Sequence, residues 1–290
     1  MRLFDLHCDT LTECIKRGEC LAATNGHISL ERGMNFERWA QVFAVFVPET
    51  LRGSAAATYA NNALDFFECQ RGDVLRACAP VLAVENGSAL GEDLANLDYF
   101  HARGVKIITL TWNGANALGH GSRCGPALGL TDFGKSAVKR MFELGVIPDV
   151  SHLNEAGFRD VAALAAEHGK PFWATHSNCG AIRPHPRNLS DEQMKAIFDS
   201  GGLVGLTLFV DFLGGAGTPL DAARHLEHML ELGGEDNVAL GSDFDGCVIH
   251  PSLAGIEHME IFDSELERFG FSESQREKFF WANAARELFS

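Results

Sequence analysis

Residues 146–176, VIPDVSHLNEAGFRDVAALAAEHGKPFWATH, contain two apolar, strand-like runs on either side of a helix-forming segment. The first run ends in His152 and the second in His176. Asn154 can open the intervening helix, and Gly169 can end it. A strand, a helix and a second strand in this order are typical of a parallel sheet, so the stretch predicts a βαβ unit.

The same alternation of apolar run and helical segment extends through the whole chain. Eight apolar runs occur, at residues 3–9, 39–47, 81–86, 105–112, 146–152, 171–176, 203–209 and 238–243. Helices are predicted at residues 55–71, 131–144, 154–168, 190–198, 220–232 and 272–289. Parallel strands that alternate with helices in this way predict an α/β fold, a (β/α)8 TIM barrel. Because no break in composition divides the 290 residues, we expect residues 1–290 to form a single domain.

Five of the eight runs end in side chains that can bind or serve a metal ion. These side chains are His7 with Asp9, Glu85, His152, His176 and Asp243. The C-terminal ends of the strands of a parallel barrel all open onto one face, so residues far apart in sequence converge there. The longer irregular segments mostly follow strands and are expected to shape a substrate pocket at that face; they are residues 18–38, 113–130, 177–189 and 244–268. The arrangement predicts a metal-dependent enzyme.

The composition is that of a soluble globular chain with an acidic balance. Hydrophobic residues make up 46%, and 24 basic against 39 acidic residues give a formal charge of −15. This charge disfavours nucleic acid and anionic membranes as partners, because no Lys/Arg cluster offsets it. The eight cysteines include no CxxC pair, and we expect them to be mostly small buried hydrophobes. With no signal-peptide pattern and no apolar run long enough to span a bilayer, the expected location is cytoplasmic.

The number of predicted ligands favours two ions over one. Three histidines and two carboxylates exceed what a single open catalytic site usually takes. We expect His7 and Asp9 to hold one ion, His152 and His176 to hold the other, and Glu85 to bridge them. Imidazole and carboxylate suit zinc, although manganese and cobalt accept the same ligands. Two ions in this arrangement are typical of hydrolytic chemistry.

Asp243 and Arg187 are the predicted acid/base and substrate-binding residues. Asp243 would accept a proton from the attacking water and pass it to the leaving amine, or would instead orient a histidine ligand. The segment GSDFDG at 241–246 also looks like the start of a calcium loop, but Ala254 stands where an EF-hand needs a bidentate glutamate. Arg187, in the proline-rich segment RPHPRN, would grip a carboxylate or be a solvated surface arginine.

Six segments taken together carry a family resemblance. They are FDLHCDT at 4–10, VEN at 84–86, DVSH at 149–152, ATHSN at 174–178, RN at 187–188 and GSDFDG at 241–246. In this order they resemble the membrane (renal) dipeptidase family, peptidase family M19, over almost the whole chain. The resemblance implies a dizinc barrel of the amidohydrolase type that hydrolyses dipeptides and often tolerates a D-residue at the C-terminal side. It implies the same roles for the same residues: metal ligands at His7, Asp9, Glu85 (bridging), His152 and His176, an acid/base at Asp243 and a contact to the substrate carboxylate at Arg187.

The chain departs from the mammalian members of that family at Trp112. Those members have a substrate-binding histidine after the fourth strand, where this chain has Trp112. An indole N–H can donate a hydrogen bond but cannot become cationic, so the group that stabilises the oxyanion is open, and His120 of the same loop is a candidate substitute. The secretory signal and lipid-anchor tail of mammalian members are also missing, so the chain resembles bacterial, intracellular relatives. The resemblance further implies a homodimer.

The predicted function is therefore the zinc-dependent hydrolysis of small dipeptides, including L,D-dipeptides. One alternative is another amidohydrolase that acts on a lactam, lactone or N-acyl amino acid, because the same site would open any of these. Many such relatives bridge their metals with a carboxylated lysine at the end of the fourth strand, where this chain has Thr111-Trp112, which favours the dipeptidase. The other alternative is a barrel that binds metal without catalysis. The sequence contains no GxSxG elbow, phosphate-binding loop or dinucleotide fingerprint.

Overall fold

The computed structural model describes residues 1–289 and is built around a parallel sheet of seven strands. The strands are β1 (Arg2–Cys8), β2 (Arg38–Phe46), β3 (Ala79–Glu85), β4 (Val105–Thr109), β5 (Ile147–Asp149), β6 (Val204–Leu206) and β7 (Val238–Leu240). They lie in the order β5-β4-β3-β2-β1-β7-β6. The predicted α/β class with a parallel sheet is confirmed.

Helices follow or separate the strands. They are α1 (Thr10–Arg17), α2 (Leu30–Gly33), α3 (Gly53–Ala77), α4 (Leu94–Ala102), α5 (Asp132–Leu144), α6 (Glu155–His168), α7 (Asp191–Asp199), α8 (Val210–Leu213), α9 (Pro219–Glu231), α10 (Met259–Arg268), α11 (Glu273–Glu277) and α12 (Asn283–Phe289). Short 3₁₀ turns occupy Gly87–Leu90 and Ile256–His258. The predicted helix over 272–289 is confirmed as a continuous helical run over 273–289, in which a π-helical turn, Lys278–Ala282, lies between α11 and α12. The prediction that 244–268 is irregular is wrong at its end, where α10 forms.

Capping residues set the bounds of the helices that flank the site loops. The Asn154 side chain accepts a hydrogen bond from the Gly157 N–H at 2.9 Å, and Gly169 ends α6 in the left-handed conformation, with φ 59°. Thr131 caps α5 in the same way, and Ser190 opens α7 with a capping box. These side chains satisfy amide groups that have no partner within the helix. The predicted helices over 131–144, 154–168 and 190–198 are confirmed.

The run at 171–176 forms isolated bridges and is not a strand. The Trp173 N–H donates to the Pro148 carbonyl at 3.0 Å, next to β5. On the other side, the Ala174 N–H donates to the Leu203 carbonyl at 3.0 Å and the Gly205 N–H donates to the Ala174 carbonyl at 2.7 Å. Residues 173–174 therefore lie between the two edge strands, β5 and β6.

Side chains interrupt the ladder beyond Ala174. The Thr175 N–H donates to Asp149 Oδ1 at 3.0 Å, and the His176 N–H donates to Ser151 Oγ at 3.1 Å. Both amides would otherwise be available to a neighbouring strand. The prediction of a full strand ending at His176 is therefore wrong, because polar side chains take the place of strand carbonyls.

A β-bulge in β1 changes the facing of its side chains. Asp5 lies opposite Gln41, whereas Cys8 lies opposite Phe43, so three steps along β1 match two along β2. Leu6 and Cys8 consequently pack into different apolar clusters of the core. Strict alternation along β1 would place Leu6 and Cys8 on one face, and the bulge prevents this; Cys8 is buried, as expected for the cysteines.

The apolar core leads directly to the strand ends that carry the polar residues. On β3, Leu82 and Val84 pack into the larger cluster, and Val81 and Ala83 pack into the smaller one on the opposite face. Since side chains alternate along a strand, Glu85 continues the face of Val81 and Ala83. The smaller cluster thus forms an apolar floor beneath Glu85.

The eight cysteines are free and differ in exposure. Cys8, Cys14, Cys78 and Cys179 are buried, so the expectation of small buried hydrophobes is confirmed for these four. It is wrong for three others, which lie at the surface: Cys20, Cys69 and Cys124. Between residues 1 and 289, no helix has both the length and the apolar character needed to cross a membrane.

Candidate metal centre

Five predicted ligands converge at the carboxyl end of the sheet. His7 Nε2 lies 3.4 Å from Glu85 Oε2 and 3.8 Å from Asp9 Oδ2. On the other side of Glu85, its Oε1 lies 2.9 Å from His152 Nε2 and 3.8 Å from His176 Nε2. All five side chains are buried. Glu85 therefore stands between one pair, His7 and Asp9, and a second pair, His152 and His176.

Several of these residues reach the site from beyond the strands. Asp9 occupies the N-cap position of α1, and its N–H donates to the Phe244 carbonyl at 2.8 Å. His152 follows the end of β5 by three residues, and Asp243 follows the end of β7 by three. The expectation that these side chains end strands is therefore wrong in detail. The backbone leaves the sheet first and then turns the side chains toward Glu85.

Hydrogen bonds fix the tautomers of two histidines. His152 Nδ1 lies 3.0 Å from the Asn113 amide oxygen, which can only accept, so His152 Nδ1 carries a proton. His176 Nδ1 lies 2.9 Å from Thr175 Oγ1, whose own proton goes to Asp149 at 2.8 Å, so His176 Nδ1 also donates. Both Nε2 atoms consequently present lone pairs, and they are only 2.9 Å apart.

This donor set fits divalent metal ions. Two lone pairs that face each other repel, and a cation between them removes the repulsion. His7 Nε2 and Asp9 Oδ1 are buried and have no hydrogen-bond partner among residues 1–289. Burial, together with nearby positive charge, holds the pKa of His152 and of His176 well below the usual histidine value, so both rings are neutral, as ligands must be.

Two groups of side chains bring their ligand atoms close together. His7, Glu85 and His176 each place one atom within 4.8 Å of the others, and so do His7, Asp9 and Asp243. Asp243 is thus as close to the His7 side of the centre as the predicted ligand Asp9. From the sequence, Asp243 is expected to transfer a proton or to orient a histidine ligand, and a role in binding metal is not expected.

Two carboxylates of the metal-free site, Glu85 and Asp243, hold protons unusually tightly. Burial first, and then the charge of Asp9, raise the pKa of Glu85 to about 7. Burial likewise raises the pKa of Asp243 to about 7. For His7, burial acts to lower the pKa, but Glu85 and Asp9 outweigh it and hold the pKa well above the usual value. A site with this excess of buried carboxylate charge is stabilised by bound cations.

Two buried carboxylates that the sequence analysis did not single out organise the site backbone. Asp149 accepts hydrogen bonds from the Ser151 and Thr175 N–H groups, both at 3.0 Å, beside the two histidine-bearing turns. Asp5 accepts from the Ser242 N–H at 2.8 Å, next to Asp243. A charged residue inside an apolar run was the available signal for each, since a buried carboxylate must find hydrogen-bond donors.

Close packing around Asp243 requires a glycine nearby. Asp243 has φ 63°, in the left-handed region that Asp tolerates better than most residues. A Cβ atom at Gly246 would collide with the carboxylates of Asp9 and Asp243. Gly246 therefore allows the loop after β7 to lie against the site.

A cavity of about 400 Å³ opens beside these residues, and Arg187 lies in its wall. Arg187 Nη2 donates to the His176 carbonyl at 3.4 Å, while its Nε and Nη1 are buried without a partner among residues 1–289. Burial lowers the pKa of Arg187 to about 10, so the guanidinium is still charged at neutral pH. A larger cavity of about 830 Å³, between α6 and α7, borders the other side of Arg187.

Trp112 lines the 400 Å³ cavity, but His120 does not. The Trp112 ring lies 6.0 Å from the His152 ring and 5.4 Å from the Phe46 ring, measured between centroids. His120 Nδ1 instead hydrogen-bonds the Gly129 carbonyl at 2.9 Å. The structure therefore does not bring His120 to the position suggested for it.

A family model for membrane dipeptidase, peptidase family M19, matches residues 70–288. The chain belongs to this family. An uncharacterised protein from the region 5′ of pqqA in Klebsiella pneumoniae is 36% identical over 241 residues, which cover 78% of this chain and 86% of that protein.

Solved structures of metallopeptidases have the same fold as this chain. A crystal structure of dipeptidase AC, a family M19 metallopeptidase, superposes with a TM-score of 0.89 at 28% identity and covers 99% of this chain and 98% of its own. A metallopeptidase from Rhodobacter sphaeroides, bound to a phosphinate mimic of L-Ala-D-Ala, has a TM-score of 0.86 at 26% identity, over 100% of this chain and 99% of that one. This M19 chain is accordingly a metal-dependent dipeptidase that hydrolyses a peptide bond, as predicted.

Proposed function

We propose that this M19 dipeptidase uses two zinc ions bridged by Glu85, with His7 and Asp9 at one ion and His152 and His176 at the other. The observation that carries the proposal is the position of Glu85 between the two pairs, one oxygen toward each. When bound, the ions supply a nucleophile from water at neutral pH and polarise the scissile carbonyl.

Asp243 is the proposed acid/base. Its Oδ1 lies 4.0 Å from His7 Nε2, the nitrogen that faces the other ligands, so Asp243 lies on the metal-binding side of the imidazole ring. A carboxylate that merely oriented the histidine would instead contact Nδ1, on the opposite side of the ring. From this place Asp243 takes the proton of the attacking water and passes it to the leaving amine.

The proposed substrates are dipeptides, including those with a D-residue at the C-terminal side. The phosphinate mimic of L-Ala-D-Ala in the R. sphaeroides relative supports that class. Trp112, which lines the cavity, would contact the substrate, and its indole N–H could donate to it. Arg187 would bind the free carboxylate, because two of its nitrogens are buried and without partners.

The remaining parts of the proposal concern architecture and setting. We propose a closed (β/α)8 barrel in a single domain, supported by the hydrogen bonds of Trp173 and Ala174 to both edge strands. A homodimer is proposed from the family resemblance, and a cytoplasmic location from the composition. The charge of −15 supports small molecules over nucleic acid or anionic membranes as partners.

Zinc should restore activity to chelated protein. We expect the purified chain, stripped of metal and reloaded, to cleave members of a panel of L,L- and L,D-dipeptides with two zinc ions per chain, measured by amine release and metal analysis. Two bound ions without cleavage of any dipeptide would instead favour a lactam, lactone or N-acyl amino acid substrate. Metal binding without turnover on those classes as well would indicate a non-catalytic barrel.

Replacing Arg187 with methionine should mainly raise KM for dipeptides with a free C-terminus. Loss of a charge-assisted, two-pronged contact predicts a KM increase of about 10- to 100-fold. C-terminally amidated dipeptides should show little change, because they carry no carboxylate. Arg183→Met, an exposed arginine of the same loop, is the matched control. An equal KM increase on amidated substrates would contradict the assigned role.

A further inference from the structure

The cavity beside the metal centre contains a second arginine with no carboxylate partner. Arg123, like Arg187, has no carboxylate oxygen within 4.0 Å among residues 1–289. Lys16, in the wall of the same cavity, is by contrast paired with Glu13 at 2.5 Å. Five carboxylate residues line the same cavity, but none of them has an oxygen within 4.0 Å of either guanidinium, so both arginines are free to bind an anionic group of a ligand; the five are Asp9, Glu13, Glu85, Asp243 and Asp245.

Backbone hydrogen bonds hold Arg123 beside the metal centre. The Arg123 N–H donates to the Asn113 carbonyl, and the preceding Ser122 N–H donates to the His152 carbonyl, both at 2.9 Å. Ser122 Oγ also donates to the Asn113 side chain at 3.2 Å, and that side chain accepts from His152 Nδ1. Arg123 thus lies next to Ser122 and Asn113, which contact the proposed metal ligand His152. The same backbone hydrogen bonds fix the position of the Arg123 Cα atom.

The side chain of Arg123 lies on an aromatic support within the cavity. Its guanidinium carbon is 5.6 Å from the centroid of Trp112, whose ring is next to Phe46 and His152. Stacking on an indole face fixes the plane of a guanidinium and leaves its N–H groups free at the edges. Arg123 is otherwise exposed, so these donors remain accessible.

We propose that Arg123 binds an acidic side chain of the substrate, so that the chain prefers dipeptides that contain Asp or Glu. This inference rests on the proposed dipeptidase function. Arg187 takes the C-terminal carboxylate, and Arg123 takes a second anionic group in the same cavity. Trp112 serves as the support for Arg123.

Matched pairs of dipeptides test the proposal. The pairs differ only in Glu against Gln, or Asp against Asn, with the variable residue at each position in turn. For the zinc-loaded enzyme we expect kcat/KM to be about 10-fold higher for the acidic member at one position. Arg123→Gln should bring this ratio close to one, and Arg123→Lys should restore part of it. Arg183→Gln, which removes a surface charge from another loop, should leave the ratio as it is.

The dependence on salt gives a second measurement of the same contact. Raising the ionic strength from about 0.05 to about 0.5 M should reduce the acid-to-amide ratio of the wild type, because Arg123 is exposed to solvent. The ratio of Arg123→Gln should respond little.

The outcomes separate this inference from the proposed function. Cleavage of neutral dipeptides with an acid-to-amide ratio near one would overturn the role of Arg123 and leave the dipeptidase proposal standing. A high ratio that survives Arg123→Gln would also overturn it. Failure to cleave any member of the panel would reject the proposed dipeptide substrate and this inference together.

Discussion

Asp243→Asn is expected to lower kcat for dipeptide hydrolysis by about 10³-fold and to leave the metal content unchanged. The amide keeps the size of the side chain and tolerates the positive φ of this position as well as Asp does. It cannot accept and return a proton, so the chemical step is the one affected. Steady-state kinetics and metal analysis on the same preparation would measure both quantities.

Asp245→Asn provides a matched control two residues away. Asp245 also has a positive φ, of 66°, and its carboxylate accepts hydrogen bonds from Thr10 Oγ1 at 2.6 Å and from the His27 N–H at 2.7 Å. Its replacement should mainly weaken the attachment of that loop, with a much smaller effect on kcat. If Asp243→Asn kept more than about a tenth of the wild-type kcat, the acid/base role would be excluded.

Glu85→Gln is expected to reduce metal binding and to lower kcat/KM by about 10³-fold or more. An amide presents one weakly basic oxygen, so it cannot place an anionic oxygen toward each pair of ligands as Glu85 does. Metal analysis should find fewer than two ions per chain. Two tightly bound ions in this variant would contradict the bridging role.

The pH dependence of the free energy of unfolding distinguishes loss of metal binding in Glu85→Gln from misfolding of that variant. Burial raises the pKa of Glu85 in the folded, metal-free chain from 4.5 to about 7. A raised carboxyl pKa means that the ionised group costs stability above about pH 7, and that this cost fades as the pH falls toward 4.5. The free energy of unfolding of metal-free Glu85→Gln, compared with metal-free wild type, should therefore improve as the pH rises from about 5 to about 8. If the free energy of unfolding of Glu85→Gln instead fell relative to that of the wild type as the pH rose over this interval, the substitution would have damaged the fold.

Local sequence signals predicted much of the fold because their causes are local. Asn154 and Gly169 bound α6 through contacts within one helical turn, and a buried strand such as β3 shows itself as an apolar run. The same reasoning failed at residues 171–176, where Asp149 and Ser151 capture the amide groups of Thr175 and His176. A contact between side chains and backbone that are some 25 residues apart leaves no periodic pattern.

The residues of the candidate site also fall into those that the sequence predicts and those that only the structure identifies. His7, Glu85, His152 and His176 could be named in advance, because parallel strands bring their carboxyl ends to one face. Arg123 could not, since its relevance depends on how an irregular loop folds back onto Asn113 and His152.

The sequence by itself determined the α/β class, the order of its elements and the side chains available to a metal centre. It could do so because hydrophobic periodicity, caps and ligand chemistry are properties of single residues and near neighbours. Only the tertiary structure decided the bulge in β1, the place of Asp9 at the start of α1 and the stacking of Arg123 on Trp112. Each of these depends on packing and hydrogen bonds between segments far apart in the chain, whose geometry is set when the segments meet.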